Sequence, residues 1–166
     1  MNSRFVIFQF LFLCLFSILC GCGDKADEME VAQDGGDYFV FGRFAGFCGG
    51  ESCIEIFKIE NNQLFEDTAD EYPSSNKLPY PGQYELLASE KYKLVQDLPD
   101  AFPDKLMEEI NLVLGMPDAY DQGGIYVELK RGDKVMFWVL DGDKHNLPDY
   151  VHSWVDLVTE KVDLLQ

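Results

Sequence analysis

The alternation of hydrophobic and polar positions is clearest in residues 124–141, and it predicts a β-hairpin. In the first half the odd-numbered residues are aliphatic and the even-numbered ones carry polar groups: Ile125, Val127 and Leu129 against Tyr126, Glu128 and Lys130. Arg131-Gly132-Asp133 supplies the turn, and residues 135–140 are apolar on both faces. A strand of that kind suits a central position that is covered on both sides.

The segment 38–67 predicts further strands. Residues 38–47 and 53–60 are rich in aromatic and β-branched side chains, which favour strands, and a short loop with two cysteines joins them. Asn61-Asn62 lies between apolar runs, where a hairpin turn requires residues that tolerate positive φ, and residues 63–67 form the return strand. The proline-containing stretch that follows, to residue 83, indicates a loop.

Helices are predicted in the second half of the domain. A short candidate strand at 84–87 precedes Ser89, which can cap a helix over 90–98. Pro103 can start a second helix, which reaches 114 before the stop signal of Gly115. A third, amphipathic helix follows Pro148 to the C-terminus, with apolar residues at helical spacing: Val151, Trp154, Val155, Val158, Val162 and Leu165.

This order of elements predicts an α+β fold. Strand pairs joined by short turns give an antiparallel sheet, here of four to six strands, and the amphipathic helices pack on one of its faces. The whole of 38–166 is short enough for a single domain and long enough to bury its own core.

The N-terminal segment predicts export. One cation, Arg4, precedes an apolar run from Phe5 to Leu19 that is shorter than a membrane span and has the form of a secretory signal. The run ends in Leu19-Cys20-Gly21-Cys22, which resembles the bacterial lipoprotein signal. The resemblance implies cleavage after residue 21 and acylation of Cys22.

Cys22 is preferred to the two cysteines before it. Cys14 lies inside the apolar run, and Cys20 follows a bulky leucine, whereas Cys22 follows Gly21. Residues 1–21 are therefore a signal peptide and residues 22–37 a flexible acidic tether. Two or more acyl chains, such as palmitate, hold a protein stably on a membrane.

The composition is strongly acidic. The sequence has 30 acidic and 13 basic residues, with a formal net charge of −17, and removal of the signal takes away one cation and no anion. Such a surface repels phosphate backbones, which excludes nucleic acid as a partner. It also repels anionic lipid, so the acyl anchor is the expected membrane contact.

Cys48 and Cys53 close the short loop between the first two strands. Outside the cytoplasm a disulfide is the default state, and the two glycines between the cysteines give the chain freedom to form a ring. Free thiols are the alternative. A redox centre is disfavoured because it needs two intervening residues at a helix start rather than four in a loop.

No set of residues predicts catalysis or a cofactor. His145 and His152 could join the cysteine pair as zinc ligands, but their spacing is wider than usual. Asp141 and Asp143 have the opening spacing of a calcium loop, yet the glycine and glutamate expected later are absent. These four residues are weak metal candidates, and the sequence offers neither a nucleophile motif nor a phosphate loop.

Several stretches also resemble small uncharacterised lipoprotein domains of Bacteroidota: "FGRFAGFCGGESCIEIFKIENNQLFED", "LASEKYKLVQDLP", "DQGGIYVEL" and "LPDYVHSWVDLV". The resemblance brings no activity with it. The expectation is a non-catalytic cell-envelope lipoprotein that binds an unidentified ligand or envelope protein, in the outer membrane and facing either side. The alternatives are a zinc- or calcium-binding envelope protein and, less favoured, a hydrolase.

Overall fold

The computed structural model describes residues 36–49, 51–74 and 76–166, and a seven-stranded sheet lies at its centre. The strands are β1 (Tyr38–Phe44), β2 (Ile54–Glu60), β3 (Gln63–Asp67), β4 (Tyr84–Leu86), β5 (Val113–Leu114), β6 (Gly124–Arg131) and β7 (Lys134–Asp141). Their order is β4-β3-β2-β1-β6-β7-β5, and every neighbouring pair is antiparallel except β5 with β7. The α+β class is confirmed, but the predicted number of strands was too low because β5 was missed.

The two predicted hairpins are present. Asn61 and Asn62 adopt φ values of 51° and 58° between β2 and β3, the left-handed conformation that asparagine tolerates. Between β6 and β7 the turn is shorter than predicted, because Arg131 pairs with Lys134 and only two residues form the connection. Gly132 takes a φ of 57° there, which explains the glycine.

Both helices contribute to the core on one face of the sheet. They are α1 (Ser89–Val95) and α2 (Asp149–Leu165). All six apolar residues of the predicted C-terminal stripe are buried, and they join the odd-numbered residues of β1 and β6 in one cluster. Trp154 packs edge to face against Phe39 and Phe102. The amphipathic pattern of α2 therefore predicted its buried face correctly.

The second predicted helix, over 103–114, is wrong. The chain forms only a short 3-10 turn at Asp104–Glu108 and then extends into β5. Leu106 and Leu114 are buried, whereas Ile110 between them is 93% exposed. Backbone pairing beside β7 replaces helical bonding, for example from the Val139 amide to the Leu112 carbonyl at 2.8 Å. This tertiary pairing outweighs the local helical spacing.

The cap of α1 also differs from the prediction. Ser89 is the first residue of the helix, and Ala88 occupies the position before it without any side-chain cap. The Ser89 hydroxyl lies instead 3.3 Å from the Glu90 carboxylate. The helix ends at Val95, which is buried in the main core, and residues to Pro99 follow as turns.

The opposite face of the sheet is covered by a loop. Residues 68–74 and 76–83 cross it, and Tyr80 packs with Val40, Ile56 and Tyr126 in a second buried cluster. The strand side chains of that cluster come from even-numbered positions of β1, β2 and β6 and from Val139 of β7, so the sheet is buried on both faces. The sequence had suggested helices on one face and gave no reason for this loop to act as a cover.

Candidate functional site

Three loops meet at the end of the sheet where β1 finishes. We call this the loop end, formed by residues 45–49 and 51–53 with the disulfide, residues 68–74 of the covering loop, and residues 115–123 between β5 and β6. The other end, the tether end, carries the start of β1 and the β6–β7 turn, where the Gly132 amide donates to Asp37. The seven residues of β1 separate the two ends by about 20 Å.

Asp118 joins the three loops. One carboxylate oxygen accepts hydrogen bonds from the Gly46 amide, at 2.7 Å, and from the Tyr72 hydroxyl, at 3.2 Å. The other accepts from the Gly123 amide at 3.0 Å. Tyr72 is held further by an edge-to-face contact with Phe44, whose ring centroid is 5.1 Å away. One side chain therefore fixes the positions of all three loops.

Asp141 stabilises the base of the same end. Its side chain is fully buried and accepts from the Met116 and Asp143 amides and from the side chains of Gln122 and Asn146, at 2.8–3.0 Å. Burial alone would raise the pKa of Asp141, but these donors together hold it below the ordinary value for aspartate. Both carboxylate oxygens are thus engaged in holding the chain after β5 and after β7.

The predicted pairing of Cys48 and Cys53 is present. Their sulfur atoms are bonded at 2.10 Å, with the Cα atoms 5.6 Å apart. Cys48 is exposed and Cys53 is buried, so the bridge runs from the surface into the second core. The Ala45 amide donates to the Cys53 carbonyl at 2.8 Å and closes the base of the loop.

Loss of this disulfide is expected to lower the free energy of unfolding by about 2 kcal/mol, the chain-entropy contribution of a six-residue ring. The Cys48→Ser, Cys53→Ser double variant and the reduced wild-type protein should agree in urea unfolding followed by tryptophan fluorescence. Gly49→Ala is the control, because added atoms there would meet nothing within 4 Å. Equal stability of the double variant and the wild type would contradict the expectation.

Large apolar side chains project from the loop end into solvent. Phe47 is 85% exposed and Tyr120 is 79% exposed, with Met116 and Tyr72 also exposed. A cleft of about 380 Å³ lies beside the disulfide, lined by Ala45, Gly46, Cys48, Cys53, Ile54, Asp70 and Tyr72. Cys53 also borders a second cleft of about 220 Å³, whose lining includes Arg43, Ser52 and Asp121. The loop end therefore combines two clefts with exposed aromatic side chains.

The metal candidates from the sequence are not arranged around a common point. His145 contacts Asp143 at 2.7 Å on the surface, and a ring nitrogen of His152 lies 3.0 Å from the Leu147 carbonyl. Both carboxylate oxygens of Asp141 accept hydrogen bonds from the protein, and the two cysteines are bonded to each other. Within the described ranges no group of three or more His, Cys, Asp or Glu side chains could hold a metal ion.

A buried polar network on the loop-covered face was missed by the sequence analysis. Glu128 is only 3% exposed, and its carboxylate accepts hydrogen bonds from the hydroxyls of Tyr38 and Tyr126 and from the Tyr80 amide. Burial, reinforced by the nearby Glu128 carboxylate, raises the pKa of Tyr38 and Tyr126 above the ordinary value for tyrosine. These hydroxyls therefore remain donors throughout the neutral range.

Asp67 anchors the covering loop at a second point. Its carboxylate accepts from the Tyr80 hydroxyl at 2.7 Å and from the amides of Gln83 and Asp70. Both carboxylates thus hold the loop through Tyr80, one by its amide and one by its hydroxyl. The sequence contained one indication of this network: a glutamate between Val127 and Leu129 in a strongly apolar strand, in a chain with several tyrosines that could donate to it.

Comparison with known proteins adds no family. No protein-family model matches the chain, and no curated protein matches it significantly. Across the described part of the chain, no helix combines the length and hydropathy required to cross a bilayer. The predicted signal peptide, Cys22 and residues 22–35 of the tether lie outside the described residues.

Proposed function

We propose that the chain is a non-catalytic cell-envelope lipoprotein whose folded domain is a binding module. Acyl chains on Cys22 hold it in the outer membrane, facing the periplasm or the surface, and the loop end contacts the ligand. The export pattern of residues 1–22 supports the address, and the disulfide suits an oxidising compartment. We also propose that the domain is related to the small lipoprotein domains of Bacteroidota that its sequence resembles.

The observation that carries the binding role is the exposure of aromatic side chains on a fixed base. Phe47 and Tyr120 project into solvent from loops that the Asp118 carboxylate and the disulfide hold in place. Exposed aromatic groups contribute much of the binding energy at interfaces, and a fixed base reduces the entropy lost on binding. Exposed aromatic side chains lower solubility, so their presence on fixed loops favours a role in binding another molecule.

The position of the loop end also favours binding. The tether joins the domain just before β1, at the end of the sheet opposite the disulfide. The loop end is therefore separate from the point where the chain enters the domain. The buried carboxylates Asp67, Glu128 and Asp141 are each engaged by donors of the fold, which suits a structural rather than a catalytic role.

Site-specific photo-crosslinking in intact cells of the native host tests the proposal. A photoreactive residue in place of Phe47 or Tyr120 should give discrete adducts, and the yield should fall when Asp118→Ala releases the loops. Leu86 and Leu164, which are exposed apolar residues outside the loop end, are the matched control positions. Adduct yields at Phe47 and Tyr120 no higher than at the control positions would overturn the proposal.

A further inference from the structure

The outer edge of β7 is open along most of its length. β5 pairs only with Val139 and Leu140, at the end of the strand. No other strand in the described part of the chain pairs with this side of β7, so residues 134–138 form a sheet edge. Edges of this length are templates for pairing with another chain unless they are protected.

The backbone direction at this edge follows from one hydrogen bond. The Val139 amide donates outward to the Leu112 carbonyl at 2.8 Å. Because the direction of backbone groups alternates along a strand, Val135 and Phe137 also direct their N–H and C=O groups away from β6. Two donors and two acceptors therefore lie in register for an added strand.

Exposed apolar side chains flank the open edge. Val135 is exposed on β7, and Val113 is exposed on β5 opposite Val139. Ile110 and Leu112, in the segment that leads into β5, are exposed as well. Four of the large exposed apolar residues thus belong to this edge or to the segment that runs into it, and within residues 134–138 only Lys134, at the start, carries a charge of the kind that protects edges.

The geometry points to strand addition at β7 by an extended segment of a partner protein, with apolar side chains alternating with lysine or arginine. Backbone hydrogen bonds to Val135 and Phe137 give affinity, and the apolar flank selects alternate side chains. The charge that favours a cationic segment is the long-range field of the whole chain, whose formal net charge is −17, and Lys134 at the start of the edge opposes it locally. The same charge on both partners disfavours pairing with a second copy of this chain.

Fluorescence anisotropy with a defined peptide tests this surface, which is separate from the loop end. The probe is a blocked, labelled heptapeptide Lys-Val-Lys-Val-Lys-Val-Lys, titrated with the full-length lipoprotein in neutral detergent. Val135→Pro removes one outward donor and is tolerated because the N–H at this edge has no strand partner. We expect the dissociation constant to rise about tenfold, the effect of roughly 1.4 kcal/mol in binding.

The matched control is Leu86→Pro on the opposite edge of the sheet. The Leu87 amide donates to the Leu64 carbonyl on β3. Because backbone groups alternate in direction along a strand, the Leu86 amide points away from β3, as the Val135 amide points away from β6. Loss of the Leu86 amide therefore leaves β7 unchanged. This variant should bind within about twofold of wild type, and a probe with N-methylated valines should bind weakly. Any of three results would overturn the inference. The two proline variants could bind the peptide with equal affinity, or the N-methylated probe could bind as tightly as the unmodified one. The third is self-association of the wild-type protein that Val135→Pro abolishes.

Discussion

Replacement of Glu128 by alanine is expected to lower the free energy of unfolding by about 3 kcal/mol, roughly 1.5 kcal/mol for each of the two hydroxyls that lose a charged acceptor. The hydroxyls of Tyr38 and Tyr126 would lose the carboxylate at a site that is almost closed to water, whereas the Tyr80 amide would keep the Tyr126 hydroxyl, 2.9 Å away, as its acceptor. Urea unfolding followed by the fluorescence of the buried residues Trp138 and Trp154 measures the loss.

Two controls distinguish this network from a general effect of lost charge. Glu128→Gln keeps the shape and one acceptor oxygen, so its cost should be about half that of alanine. Glu85→Ala removes an exposed carboxylate from β4 and should change stability by less than about 0.5 kcal/mol. Faster hydrogen exchange at the Tyr80 amide in the alanine variant would locate the change in the covering loop. A Glu128→Ala variant as stable as Glu85→Ala would contradict the role of the network.

Gly42→Ala is expected to have the second large effect, about 3 kcal/mol or more, at the upper end of overpacking costs. Gly42 lies in the middle of β1, between Ile56 on β2 and Tyr126 on β6. An added Cβ would lie 2.1 Å from the Glu55 carbonyl oxygen and 2.6 Å from the Ile56 Cα. These are backbone atoms, so no change of rotamer relieves the clash and β2 must move.

The matched control is again Gly49→Ala, where a Cβ meets no atom within 4 Å. Both variants make the same chemical change in the same part of the chain, and only one of them meets the neighbouring strand. Thermal unfolding by circular dichroism should show a clearly lower midpoint for Gly42→Ala alone. Equal midpoints for the two variants would show that β1 and β2 are farther apart than described.

The elements that the sequence predicted well are those whose pattern is local. Alternation identified β6, and the turn residues Asn61-Asn62 and Gly132 marked both hairpins. Helical spacing identified the buried face of α2 in full. In each case the residues that determine the structure are close together in the sequence, so the sequence alone contains the information.

The errors arose where distant contacts decide the structure. Residues 103–114 have apolar spacing that suits a helix, but pairing with β7 draws the last of them into a strand. Glu128 was assigned to an ordinary polar face, because charged residues are seldom buried. Its burial depends on tyrosines nearly 50 and 90 positions away, which no local pattern can indicate.

The candidate site was predicted only in part. The sequence indicated the disulfide through the compartment and the spacing of the cysteines, and it singled out Asp141 for metal binding. The structure gives Asp141 a different role, because amides and side-chain donors from two loops occupy its oxygens. Asp118, which joins three loops, lies between the predicted helix over 103–114 and the predicted hairpin over 124–141, where the sequence shows neither helical spacing nor alternation.

The address of the protein is tested most directly by mass spectrometry of the N-terminal peptide from protein extracted from membranes of its native host. We expect the peptide to begin at Cys22 and to carry a diacylglyceryl group on the sulfur, with Cys48 and Cys53 recovered as a linked pair until reductant is added. Two results together would contradict a lipid-anchored domain of the cell envelope. The first is a chain that retains Met1 or begins without acyl groups, and the second is reaction of Cys48 and Cys53 as free thiols.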